Sequence, residues 1–326
     1  VIEPVDDGEA KRAHRVEVAD VGATVAHRGG DLGQGSFEHT GHVAELIEAS
    51  DVASWIPRRS ASAYKHAAVT VLVIAGDITP EDGFALAESA LGAWAKPATP
   101  VPAAAAAGAA LPPRALTVDM PKIGQAVVFL GRAGPTRMAD DYFPTVVANN
   151  VLGGGYSARL NAEIRIKRGL SYGANSGLTG RKQPGPITAL AQTRNDAVPQ
   201  VVDLMVSEFA RLGAEPIPAN ELAARKAVII GGFGRSVETT AGLASQYSAL
   251  AQFGLPLEKL QTYSADINAV TAEQAGAAAK AYYDPANASL IVVGDAAQFW
   301  DQIKDKRAGM ERLAVDKLNL DSATLK

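Results

Sequence analysis

Cysteine is absent from all 326 residues, which excludes disulfides, thiol nucleophiles and every cysteine-ligated metal site, and leaves the redox compartment open. An excess of positive charge is missing too. Lys and Arg number 31 against 35 Asp and Glu, a net charge of −4. A general nucleic-acid binder is more often basic, so that class is set aside. No apolar run reaches the ~18–20 residues of a membrane-spanning helix, and no membrane span is expected. The chain opens Val1-Ile2-Glu3-Pro4 without a basic-then-apolar leader, and a processed product or a fragment is the expectation. Several catalytic patterns are also lacking: HExxH, HxxEH, GxSxG, GxGxxG and GxxxxGK[ST] do not occur. What is present is apolar material in quantity. With 47% hydrophobic and 20% charged residues, the chain can bury sizeable cores, and its length suggests two domains.

Residues 96–115 carry Pro97, Pro100, Pro102, Pro112 and Pro113 around the Ala-rich run Ala103–Ala110. Proline fixes φ and removes donors, so this stretch reads as an inter-domain linker, with an ordered Ala-rich helix as the alternative. It divides a partial first domain, 1–95, in which 1–50 are unassigned, from a second domain, 116–326. In the second, Leu116–Asp119 and Ala126–Gly131 have strand length, and a helical period runs from Asp140 to Leu152. Ser157 is a plausible N-cap for a helix Ala158–Lys167 that stops at Gly169. Tyr172–Leu178 and Ile187–Thr193 read as strands, residues 197–283 as helices with breaks near 213–218, 254–256 and 270–271, and Ser289–Val293 as a buried strand. The sum is an α+β fold with a sheet covered by helices. A repeat joins the halves. YKHAAVTVLVIAGD at Tyr64–Asp77 and YYDPANASLIVVGD at Tyr282–Asp295 share a Tyr, an apolar strand and a Gly-Asp exit. If the halves are duplicates, the first lacks roughly 100 residues of its front.

The five histidines, His14, His27, His39, His42 and His66, all fall in the first 66 residues. His39 and His42, with Glu45 beyond them, have a spacing seen in zinc sites. Gly41 lies between them on no evident helix, so solvated surface histidines are the better reading. Gly153-Gly154-Gly155 lacks the rest of a phosphate-binding motif; it suits a helix end where the backbone takes positive φ or meets something closely. A basic patch of Arg159, Arg165, Lys167 and Arg168 is tempered by an expected i, i+4 pair between Arg159 and Glu163. The richest segment is Asn149–Gly177, NNVLGGGYSARLNAEIRIKRGLSYGANSG. Arg165 is a permanent forked donor and Tyr172 a rigid neutral one; together beside a cleft they suit a peptide carbonyl or its oxyanion. The bland alternative is an Arg lying over its helix and a half-buried strand Tyr.

Residues 51–305 resemble the M16 family of zinc metallopeptidases, which includes pitrilysin and mitochondrial processing peptidase, in its short bacterial two-domain form. The carriers are LGGGYSARLNAEIRIKRGLSYGANSG, the later GLASQYSALAQFGLPLEKLQTYSADINAVTAEQAGAAAKAYYDPANASLIVVGD and the earlier AVTVLVIAGDITPEDGFALAESALGAW. The resemblance implies duplicated M16-type metallohydrolase domains, each a mainly antiparallel sheet covered by helices, the first truncated here. Active members carry zinc on HxxEH, which has no counterpart in this chain. The resemblance therefore implies a metal-free subunit with no metal ligand of its own, pairing with an HxxEH-bearing M16 catalytic subunit that holds the zinc and cleaves peptide substrates. It also implies that Arg165 and Tyr172, which match the family's Arg/Tyr spacing, act at the partner's zinc, with Gly153, Gly154 and Gly155 beside them on the substrate. A non-catalytic scaffold or peptide-binding protein of the same fold is the alternative; an autonomous peptidase would need HxxEH upstream of residue 1. An Ala-rich, acidic, Cys-free chain suits the periplasm, and the cytoplasm nearly as well.

Overall fold

A computed structural model describes residues 13–15 (as backbone), 71–93, 112–322 and 325. Most of the 96–115 linker, the front of the first domain and His27, His39, His42, Glu45 and His66 lie outside the described residues. Contacts group the chain into two compact units: Val1–Ala106 with Gly232–Thr262, and Ala107–Gly231 with Tyr263–Lys326.

In the first unit, β1 (Ala13–Arg15) pairs antiparallel with β2 (Val73–Ala75). The chain leaves β2 through Gly76-Asp77 and enters α1 (Pro80–Leu91). Thr79 caps that helix: its hydroxyl oxygen accepts from the Asp82 N–H at 3.1 Å, and Pro80 at the first position gives up no needed donor. Gly83, Ala87 and Leu91, spaced by four, form its buried stripe.

The second unit is built on a six-stranded sheet. Its strands are β3 (Ala115–Asp119), β4 (Gln125–Ala133), β5 (Ser171–Leu178), β6 (Pro186–Arg194), β7 (Ser289–Gly294) and β8 (Glu311–Ala314), in the order β5-β6-β4-β7-β3-β8. The pairings from β5 to β7 are antiparallel, and those of β3 with β7 and β8 are parallel. Period-two alternation decides the faces. Ala126, Val128 and Leu130 of β4, Ile187, Ala189 and Ala191 of β6, and Leu290 and Val292 of β7 are buried, while Val127 and Phe129 between them are half-exposed.

Helices cover the buried face. They are α2 (Tyr142–Gly153), the short α3 (Arg159–Asn161), α4 (Val198–Ala214), α5 (Ala219–Ser236, of which 219–231 belong to this unit), α7 (Lys259–Ala269, of which 263–269 belong to this unit) and α8 (Ala272–Tyr282); α6 (Thr240–Phe253) belongs to the first unit. Along α4, Val198, Val201, Val202, Met205, Phe209 and Leu212 follow helical spacing onto the sheet. Tyr283, fully buried, lies with its ring 5.0 Å from that of Phe209 and donates its hydroxyl to Asn149 Oδ1; burial pushes its phenol pKa well up. The expected strands and the α2 period are present. Two late elements, α9 (Trp300–Ile303) and β8, and a break at 237–239 carry no strong periodic signal in the sequence.

Candidate functional site

The site is assembled where α2 gives way to β5. Residues 153–155 do not take positive φ; the close-approach explanation holds for Gly153. A Cβ there would overlap the Ser176 backbone of β5, so glycine lets helix and strand touch. Ser176 Oγ donates to Asn149 O at 3.0 Å, closing the same contact. Gly154 closes α2 through its N–H to Asn150 O, whereas Gly155 has room around it.

The next turn departs from expectation. Ser157 is not the N-cap. That position is Ala158, with no side-chain cap, and the Ser157 carbonyl instead accepts from Arg225 Nη2 at 2.6 Å. After α3 the backbone widens into a π-helical turn, Ala162–Ile166, in which the Lys167 N–H reaches Ala162 O. Such turns recur at functional sites because the extra residue re-aims the side chains beyond it. Gly169, at φ 61°, stops the helix as the sequence indicates. β5 then starts with an irregularity between Ser171 and Ala174, where the Ser171 hydroxyl both donates to Gly173 O and accepts from Gly173 N–H. That bulge throws the intervening Tyr172 outward.

Arg165, on the π turn, and Tyr172, on the bulge, meet: the guanidinium carbon stands 4.8 Å from the phenol ring centre. Tyr172 is 89% exposed, so the half-buried strand Tyr of the bland alternative is not what is found. A second ring, overlooked in the sequence, lies 5.1 Å from the same guanidinium; it belongs to Tyr156, 65% exposed. Cation–π attraction restrains Arg165 without consuming its N–H donors. Among the described residues no hydrogen bond or ion pair engages those donors or the Tyr172 hydroxyl.

Neighbouring charges are spoken for. The expected Arg159–Glu163 pair is not formed. Arg159, buried, makes two hydrogen bonds to Glu221, of 3.1 and 2.8 Å. Glu163 takes Lys167 and Arg168 instead, and their hydrogen bonds hold its carboxyl below the usual carboxylate range. The physical reason is tertiary: Glu221, 62 residues along the chain, takes both hydrogen bonds of Arg159, and Glu163 finds its i, i+4 partner in Lys167 instead. With Arg159, Lys167 and Arg168 matched to carboxylates, these residues form a face of mixed charge and not a basic patch.

Metal ligation finds no support in these side chains. Among the described residues no three His, Asp or Glu side chains converge, so the residues described do not fit a zinc ion. Arranged this way, the pair can grip an acceptor oxygen: the guanidinium supplies a charged fork, the phenol a neutral O–H.

The fold is thus that of a mixed sheet with helices packed on one face and an Arg–Tyr pair at its β5 end. Comparison with known proteins places it. Residues 59–229, just over half of the chain, match the family model described as the peptidase M16 inactive domain. A crystal structure of a peptidase M16 inactive domain from Pseudomonas fluorescens superimposes with a TM-score of 0.61 at 28% identity, over 69% of this chain and 54% of that one. The uncharacterized zinc protease YmxG of Bacillus subtilis is 29% identical over 148 residues, 45% of this chain and 36% of its own length. An uncharacterized zinc protease of Streptomyces coelicolor is 33% identical over 101 residues, 31% of this chain and 22% of its own length. The chain belongs to the M16 peptidase family, and its residues 59–229 correspond to that family's inactive domain. It matches only about a third or less of the length of those two curated relatives.

Proposed function

We propose that this chain is the metal-free half of a two-subunit M16 zinc metallopeptidase that degrades peptides, its partner being an HxxEH-bearing M16 subunit. The observation that carries the proposal is the exposed pairing of Arg165 with Tyr172, both with donors left uncommitted among the described residues. Zinc held by the partner would supply an activated water. The work of this chain is to hold the substrate: the Arg165 fork and the Tyr172 hydroxyl donate to the carbonyl oxygen of a bound peptide and strengthen as negative charge develops on it. Preorganised donors of this kind raise the rate because they are in place before the charge appears. Gly155, unobstructed beside Tyr156, leaves space for a peptide backbone. The proposed compartment is the periplasm.

Co-expression with an HxxEH-bearing M16 protein from the same genome tests the pairing. The expected result is a stable complex that contains zinc and cleaves a labelled casein peptide, with cleavage abolished by chelation and the complex left intact. A stable complex free of zinc and of cleavage would establish a scaffold instead.

A further inference from the structure

We infer that Tyr156 and Asn161 are positioning residues of this site: Tyr156 forms a second aromatic wall for the Arg165 guanidinium, and the buried amide of Asn161 fixes both walls at once. The inference rests on the proposed role of Arg165 in peptide binding.

The geometry is specific. Asn161 is the last residue of α3 and only 4% exposed. Its Nδ2 donates to the Tyr156 carbonyl at 2.6 Å, and its Oδ1 accepts from the Ala174 N–H at 3.2 Å. One side chain thereby ties the glycine turn carrying Tyr156 to the β5 bulge carrying Tyr172. The bond to Ala174 has a further effect. β5 ends the sheet, and an end strand leaves outward N–H and C=O groups open to pairing. Asn161 occupies the Ala174 N–H, and Asn149 Nδ2 reaches Ser176 O at 3.4 Å. Helix side chains thus occupy this edge at 174 and 176, so a peptide adding as a strand there would have to displace them.

Both rings contact the guanidinium through their π systems and take none of its donors. An exposed arginine otherwise samples many rotamers, and binding would have to freeze them. The two rings confine the head group beforehand, leaving its N–H groups for a planar oxygen acceptor. The ligand class this selects is a peptide carbonyl or carboxylate. Phenylalanine at 156 keeps the π face and loses only a hydroxyl that no described residue holds.

The test uses the full chain and a fluorescein-labelled casein peptide, with anisotropy reporting the dissociation constant. Tyr156→Ala is expected to weaken binding about threefold to tenfold and Tyr156→Phe to restore it, a pattern that loss of fold does not produce. In a sample labelled with carbon-13 arginine, the Arg165 side-chain protons shift upfield beneath the rings. Asn161→Ala should reduce that shift with both tyrosines still present. If Tyr156→Ala binds as wild type while Arg165→Ala loses binding, the positioning role is overturned and the role of Arg165 stands. If Arg165→Ala itself binds as wild type, the underlying role is overturned and this one falls with it. An Arg165 shift unchanged in Asn161→Ala removes Asn161 from the assignment, whatever that variant's stability.

Discussion

At the scale of the residue, the adjoining glycines of the turn after α2 do different jobs. Gly153 is where a helix end and a strand touch, and any side chain must push Ser176 away. Gly153→Ala is expected to destabilise the fold by about 1–3 kcal/mol, read as a lowered midpoint in urea unfolding. Gly155→Ala meets only the tip of Arg225, with Nη1 4.0 Å away, and should stay within about 0.5 kcal/mol of wild type. If that variant loses peptide binding at unchanged stability, the space at Gly155 is functional. Glu163 provides a pH signature. Its folded pKa is depressed by Lys167 and Arg168, so the pairing contributes stability above the unfolded value of about 4.3 and loses it as pH falls through the folded value. A carbon-13 titration of Glu163 should give a midpoint below about 4.3 in the wild type and one nearer that value in Lys167→Met/Arg168→Met.

At the scale of the element, two buried arginines set the turn that carries Tyr156. Arg225 holds the Ser157 carbonyl and Arg159 holds Glu221, both from below the surface. Truncating one member of a buried pair strands the other. Arg159→Ala is expected to cost about 3–5 kcal/mol, whereas Arg159→Met with Glu221→Leu should cost much less; a double-mutant cycle in urea reads the difference. Much at this scale was legible in the sequence. Apolar runs of strand length pointed to β4, β6 and β7, the Gly169 stop was plain, and the Arg165–Tyr172 spacing stood out through the family resemblance. What stayed hidden has a common physical origin. The Ser157 cap, the Arg159–Glu163 pair and the unnoticed Tyr156 all depend on a regular helix between 158 and 167, and the π turn breaks that regularity. Local spacing cannot report these features, because the residues leading into the widened turn, Ser157, Arg159 and Asn161, take their partners from Arg225, Glu221 and Ala174 outside it. The strand β8 was missed for a related reason: its four residues are too few to show a period.

At the scale of the whole molecule, the repeat visible in the sequence has a structural counterpart. In each unit an apolar strand, β2 or β7, leaves through Gly-Asp and is followed by a helical segment. Most of the histidine-bearing front and most of the linker fall outside the described residues, so the side-chain chemistry described is mainly that of the second unit. Under the proposed function, the donor pair of this unit serves a metal held by another subunit. The most direct measurement is peptide turnover by the reconstituted complex with Arg165→Ala or Tyr172→Phe in this chain. Tyr172 is almost fully exposed, and Tyr172→Phe keeps its ring against Arg165 and removes only the hydroxyl. Each variant is predicted to assemble normally and to cut turnover by about 10²–10³-fold, the ordinary loss on removing one preorganised oxyanion donor. Turnover near wild type in both variants, within an intact zinc-loaded complex, would contradict the role assigned to the pair.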